Sequence, residues 1–197
     1  SRDRYCCFTV EKKLYTYALA FIGVIVLLSI IWPYEHKLID WQAPADYSVL
    51  ESDEIFFNNT RIYKYRIDER AELTSQGFKT HRSLKCLKDT TMPFLNFSIV
   101  NNWRADQAYI VAEPSARKFF RDTVTIRVDA VEVKIYLDKM DFEQHYQLAA
   151  LLFQNALNYH RPFIIEGQDS LLLYGTQGNE NANIEVLKDY FRLVGRF

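Results

Sequence analysis

The chain has 197 residues, a formal net charge of −1 and a mean hydropathy of −0.20. The balanced charge excludes the basic surface typical of nucleic-acid-binding proteins, and the hydropathy excludes a protein with several membrane spans. Aromatic residues make up 15% of the chain, which fits either a well-filled core or an extensive protein interface.

Residues 14–34 form the most apolar stretch of the sequence. Leu14 to Trp32 contains no charged residue, and a helix of that length would span roughly 28 Å, close to the hydrocarbon thickness of a bilayer. Aromatic residues lie at both ends, as at the two interfaces of membrane helices: Tyr15, Tyr17, Trp32 and Tyr34. We therefore predict a transmembrane helix over 14–34. A signal peptide or a buried helix is less favoured, because neither a cleavage site nor a polar face is visible.

Basic residues flank this stretch unequally. Four precede it, and among residues 33–60 only Lys37 follows it. The positive-inside rule then predicts that segment 1–13 lies in the mitochondrial matrix or cytoplasm. Residues 35–47 are predicted to form a juxtamembrane connector, and the domain over 48–197 is expected on the opposite side. The four basic residues are Arg2, Arg4, Lys12 and Lys13.

The first half of the domain is predicted to be rich in strands. Residues 54–67 contain many β-formers and read as one or two strands, whereas 68–92 read as a loop with a short helix. Segments 94–103 and 107–113 are further strand candidates. Residues 122–137 alternate apolar and polar side chains, and the alternation slips by one residue at Asp129-Ala130. That slip predicts a bulge or a tight turn between two strands.

The second half is predicted to contain two helices. Over 141–160, Asp141 and Gln144 have capping-box spacing, and an apolar stripe should pack on the sheet: Phe142, Tyr146, Ala149, Phe153 and Ala156. A hairpin is expected over 163–174, a polar loop over 175–183 and a second helix over 184–194, with Ile184, Leu187, Phe191 and Val194 on one side. The predicted fold class is α+β: a transmembrane helix, then a single domain with one antiparallel sheet and two or more packed helices.

The reactive residues are scattered and predict no catalytic, cofactor or metal site. The four histidines lack metal-ligand spacing and read as surface or helix-end residues. Cys6 and Cys7 precede the apolar stretch, where they are either palmitoylation candidates or small buried residues. Cys86 is the domain's only cysteine, so an internal disulfide is excluded, which argues against an extracellular location. The two N-glycosylation sequons, at Asn58 and Asn96, argue the other way, but about one is expected by chance.

Two sets of residues are candidates for contacts. Segment 79–88 carries five basic residues and is either a solvated loop or a contact for an acidic partner subunit or an anionic lipid such as cardiolipin: Lys79, His81, Arg82, Lys85 and Lys88. In the apolar stretch, Gly23 and Ser29 are the small residues that would let a neighbouring helix approach closely, although a spacing of six puts them on different sides.

These features predict a non-catalytic, single-pass accessory subunit of a membrane protein complex, in contact with other subunits and the lipid bilayer. The host expected is a respiratory-chain complex or ATP synthase of the mitochondrial inner membrane. A start at Ser1 rather than Met fits removal of a targeting presequence. One alternative is a type II protein of the plasma membrane or secretory pathway whose outer domain binds a ligand, channel or receptor. A third is a bacterial envelope scaffold with a periplasmic domain.

Overall fold

The computed structural model describes residues 3–31, 44–68, 71–166 and 169–196, with all of their side chains except those of 3–12, 29–31, 71, 72 and 166. The chain divides into two compact units, Ser1–His36 and Lys37–Phe197. In the first unit, the described residues form helix α1 (Asp3–Ile31). The second unit is an α+β domain with two antiparallel sheets.

The predicted transmembrane helix over 14–34 is wrong. Among the described residues, no helix has both the length and the apolar character needed to cross a membrane. The exposed apolar side chains of α1 lie between Leu14 and Leu28. Residues 32–34 of the prediction, and 35–43 of the predicted connector, lie outside the described residues.

The first sheet is an antiparallel meander in the order β1-β2-β3-β4. Its strands are β1 (Tyr65–Asp68), β2 (Phe78–Ser83), β3 (Leu95–Asn102) and β4 (Gln107–Pro114). The strands predicted at 94–103 and 107–113 are confirmed. Their inward side chains, such as the paired Ile99 and Ile110, are fully buried, because alternation places every second residue on the core face.

The prediction for 54–92 is wrong in two places. Residues 54–64 are helical rather than extended: α2 (Glu51–Phe56), a π-helical turn (Phe57–Arg61) and a 3₁₀ turn (Ile62–Lys64). This arrangement buries Phe57 edge-on against the His81 ring, so packing overrides the β propensity of the segment. The predicted loop over 68–92 contains the expected short helix, α3 (Ala71–Ser75), but also β2. The largely polar β2 is held by strands on both sides.

A second sheet replaces part of the single sheet that was predicted. It has the order β6-β5-β7-β8 and consists of β5 (Val124–Val128), β6 (Val131–Ile135), β7 (Pro162–Glu166) and β8 (Asp169–Leu172). The tight turn at Asp129-Ala130 is confirmed, and Asp129 has a φ of 52°. Near its start, the outer edge of β4 is occupied, since the N–H of Ala108 donates to the carbonyl of Tyr47 at 2.9 Å.

Helices α4 (Phe142–Leu157) and α5 (Gln177–Leu193) both contact the meander. The capping box of α4 is confirmed, since the N–H of Gln144 donates to Asp141 Oδ1 and the N–H of Asp141 donates to Gln144 Oε1. In the predicted stripe, Tyr146, Ala149 and Phe153 are buried, Ala156 is half-buried and Phe142 is exposed. Helix α5 begins seven residues before the predicted Ile184, because Thr176 caps it; the predicted loop over 175–183 is therefore wrong.

Three asparagines, Asn96, Asn179 and Asn183, form a network that joins α5 to β3. Asn183 Oδ1 accepts the backbone N–H of Phe97 at 2.8 Å, and Asn183 Nδ2 donates to Asn96 Oδ1 at 3.0 Å. Asn179 Nδ2 donates to the same Asn96 oxygen at 2.9 Å, and Asn96 Nδ2 donates to the carbonyl of Leu87 at 2.8 Å. The last pair between β2 and β3 is Arg82 with Ser98. The asparagine network therefore takes over the hydrogen bonding of β3 where β2 ends.

Candidate functional site

Helix α1 presents an apolar surface of unusual extent. Between Leu14 and Leu28, eleven large hydrophobic side chains are exposed, with fractional exposures from 48% to 73%. A helix that is apolar on all sides is normally buried, and large exposed apolar surfaces mark sites of interaction. This surface is the strongest candidate for a contact with another molecule.

The two small residues predicted as helix contacts lie in α1. A Cβ atom added at Gly23 would meet nothing within 4 Å, so this position is open to a neighbouring helix. The backbone of Ser29 belongs to α1, but its side chain lies outside the described part of the chain, as do those of Cys6 and Cys7. A contact through Gly23 or Ser29 stays a prediction.

The basic cluster over 79–88 does not form one continuous surface. Segment 78–83 is a strand rather than a loop, and successive side chains of a strand point to opposite faces. Lys79 and His81 therefore lie on the face that carries the buried Ile99, whereas Arg82 lies on the opposite face. Alternation separates the residues that are adjacent in the sequence.

Arg82 is bound to carboxylates of its own sheet. Its Nε and Nη2 atoms contact the Glu113 carboxylate at 2.7 and 2.6 Å, and its Nη1 lies 2.5 Å from Asp68 Oδ2. The hydrogen bonds to Glu113 raise the pKa of Arg82. Arg82 thus links β1, β2 and β4 across the outer face of the meander. A change to Glu there would bring three carboxylates together and would disturb folding as well as any external contact.

Lys85 and Lys88 remain at the surface after the strand ends. Lys85 is 65% exposed and only 3.5 Å from Glu185 Oε2, a carboxylate that Lys64 Nζ also contacts at 2.6 Å. Lys88 is exposed in the loop that follows β2. These two lysines are the members of the predicted cluster best placed to meet an anionic partner.

His145 is buried, contrary to the expectation of a surface position. Its side chain is 7% exposed, and its Nδ1 accepts the N–H of Ala112 at 3.2 Å, so the ring helps to cover the outer edge of β4. Burial lowers the pKa of His145, with the nearby charge of Asp141 acting in the opposite direction. The neutral ring is required because a protonated Nδ1 cannot accept this hydrogen bond.

We expect the free energy of unfolding to fall as the pH drops below about 6.5, the ordinary pKa of histidine. The folded-state pKa of His145 is lowered, so between the two pKa values the unfolded chain binds more protons and is favoured. The contribution of the neutral His145 ring to stability is complete above its pKa in the unfolded chain. It is lost as the pH falls toward its pKa in the folded chain. Urea unfolding between about pH 8 and pH 5 measures the loss. His145→Gln, which keeps an accepting oxygen, should remove much of the pH dependence; an unchanged dependence would contradict this role.

The two sequons differ in accessibility. Asn58 is exposed on the π-helical turn. Asn96 is half-buried, and both polar atoms of its amide are bound within the asparagine network. A glycan on Asn96 would break these bonds, so Asn58 is the sequon compatible with the folded domain.

A groove between β6 and α4 was not predicted from the sequence. It has a volume of about 360 Å³, and Ile135, Leu148 and Leu151 are buried along it. Leu148 and Leu151 lie outside the stripe assigned to α4. The signal that could have revealed the groove is therefore the width of the apolar surface of α4, which exceeds what one sheet contact needs.

Within the described ranges, no three His, Cys, Asp or Glu side chains come together in a way that could hold a metal ion. No protein-family model, curated protein or solved structure matches this chain. The function is therefore argued from the exposed surface of α1 and from the charged and grooved surfaces of the domain.

Proposed function

We propose that the chain is a non-catalytic accessory subunit of a membrane protein complex, in which it holds other subunits together. The observation that carries this proposal is the exposed apolar surface of α1, with eleven large hydrophobic side chains between Leu14 and Leu28. Apolar helices of neighbouring subunits are the partners that match such a surface in chemistry and shape.

The energies are of the right order for a stable contact. Covering about half of the eleven side chains, at about 1.5–3 kcal/mol each, would contribute roughly 8–16 kcal/mol. Association of two proteins costs roughly 4–15 kcal/mol before any contact is counted. Contact along one side of α1 is therefore comparable to the cost, and contact along both sides exceeds it.

The host that we propose is a respiratory-chain complex or ATP synthase of the mitochondrial inner membrane. Support comes from Cys86, the domain's single cysteine, because a domain without disulfides suits a compartment that does not require them. Burial raises the pKa of Cys86 to about 11, which keeps the thiol protonated and unreactive. Lys85 and Lys88 add an electrostatic contact to an acidic subunit or to anionic lipid such as cardiolipin.

Native purification of the tagged full chain in mild detergent, followed by identification of co-migrating proteins, tests the proposal. We expect the chain to migrate with a larger complex. Replacing Leu19 and Ile22 by Lys should release it, because these residues share one side of α1 with Gly23. The control is Leu157→Lys, at an exposed apolar residue of the domain, which should leave co-migration intact.

A chain that migrates alone, or that co-migrates equally well with Lys at positions 19 and 22, would contradict the proposal.

Replacing Lys85 and Lys88 by Glu should weaken co-migration most at low salt, where surface charges are least screened. Turnover per assembled complex should be unchanged. Loss of the complex's turnover in an assembled Asp141→Asn variant would mean that the chain contributes a catalytic residue. A mobility shift after glycosidase treatment would place the host in the secretory pathway instead.

A further inference from the structure

Strand β6 has an open outer edge. Among the described residues it pairs with β5 alone, and the two-residue turn between them makes Val128 and Val131 a hydrogen-bonded pair. The backbone groups of Glu132 and Lys134 must then point away from β5. In the part of the chain that the structure describes, no backbone group bonds to them. An open edge of this kind is a template for another strand.

The outer edge of β4, in the meander, is covered by other parts of the domain. The N–H of Ala108 on β4 donates to the carbonyl of Tyr47, and the N–H of Ala112 donates to His145. The domain therefore covers the edge of β4 with its own residues, whereas the described residues leave the edge of β6 open.

The groove beside β6 supplies the side-chain pockets that strand addition needs. Val133 and Ile135 share a face with the buried Ile126, and the groove lies between this face of β6 and helix α4. Its wall includes Met140, whose flexible side chain adapts to different apolar partners. A strand added to β6 would direct every second side chain into this apolar space.

The charged residues beside the groove indicate which polar side chains an added strand would carry. Among the described residues that line the groove, Lys134 and Lys139 are charged and none carries a carboxylate. Lys139 Nζ lies 4.7 Å from the centre of the Tyr136 ring, which holds that charge at the rim. Lys134 lies on the face of β6 opposite Val133 and Ile135, beside Glu132, whose carboxylate is paired with Arg127 Nη2 at 2.6 Å. Acidic side chains of an added strand that point to this face would therefore meet Lys134, with Lys139 at the rim.

We propose that an extended segment of a partner protein, with alternating apolar and acidic residues, adds to β6 as a fifth strand of the second sheet. Its backbone pairs with Glu132 and Lys134, its apolar side chains enter the groove, and its carboxylates meet Lys134 and Lys139. The inference rests on the proposed function only for the origin of the segment, a neighbouring subunit, and it is independent of the surface of α1.

Fluorescence anisotropy of the full chain with labelled synthetic peptides tests this inference. The peptides are about seven residues long, the length of an ordinary strand, and alternate Glu with Val or, as the control, Lys with Val. We expect the Glu peptide to bind more tightly. Lys134→Glu should weaken its binding about fivefold, whereas Lys118→Glu, at an exposed lysine away from the groove, should not.

Hydrogen exchange identifies the binding mode. The amides of Glu132 and Lys134 should exchange quickly in the chain alone and slow down when the Glu peptide is added. Lys134→Pro removes one of these donors without removing a bond to β5, and it should abolish binding. If that variant unfolds, the protection of the two amides in the unaltered chain still decides the question.

The inference would be overturned by equal affinity for the two peptides, by protection that leaves out Glu132 and Lys134, or by protection that appears without peptide as the chain concentration rises. The last would identify a second copy of the chain as the occupant. Failure of peptide binding with intact co-migration would reject this site and leave the proposed function standing.

Discussion

Replacing Phe153 by Ala is expected to lower the free energy of unfolding by about 3–5 kcal/mol. Phe153 is 1% exposed at the centre of α4, and its ring stacks on that of Phe191 in α5, with ring centres 5.3 Å apart. Truncation removes this ring contact between the two helices and leaves a cavity in the core. Urea unfolding of the full chain measures the loss.

Phe142→Ala is the matched control for this change. The same ring is removed from the same helix, but Phe142 is 45% exposed and contacts Tyr109 near the surface, with ring centres 4.4 Å apart. We expect a loss of about 1 kcal/mol or less, because little apolar surface is returned to water. Equal losses at the two positions would mean that the interface between α4 and α5 does not hold the domain together.

Asn183→Ala is expected to cost about 2–3 kcal/mol, because a buried donor or acceptor that loses its partner costs about 1–3 kcal/mol. The substitution leaves the Phe97 N–H without its acceptor, which accounts for one such loss. It also removes one of the donors to Asn96 Oδ1. Asn183 is fully buried, so water cannot readily replace the amide. The free energy of unfolding from a urea titration again gives the result.

Asn181→Ala provides the comparison on the same helix. Asn181 is exposed and its Oδ1 accepts from Gln177 Nε2 at 3.1 Å, so we expect a change of about 0.5 kcal/mol or less. If Asn183→Ala were as mild as Asn181→Ala, the asparagine network would not be a stabilising part of the fold.

The elements that the sequence predicted correctly are those whose local pattern agrees with their packing. Strands β3 and β4 alternate between a buried and a more open face, and α4 carries both its cap and its stripe. The turn at Asp129-Ala130 was visible because the period-two pattern changed phase there. In each case the information lies within about a dozen neighbouring residues.

The elements that were missed depend on distant partners. Asn179 and Asn183 look like loop residues, and their burial depends on contacts with Asn96 and Phe97, more than 80 positions away. Strand β2 is similar, since its polar residues are held by β1 and β3 on either side. The basic cluster looked continuous in the sequence because strand alternation and the pairing of Arg82 with Glu113 are properties of the folded sheet.

The asparagine network also sets an order of events during synthesis. Helix α5 follows all the strands in the chain, so the N–H of Phe97 has no side-chain acceptor until the ribosome has produced Asn183. Until then the end of β3 is an unpaired edge, which is the type of surface that recruits chaperones or aggregates. A nascent chain stalled before α5 should therefore remain protease-sensitive and bound to chaperones, and release of the last helix should close the domain in one cooperative step.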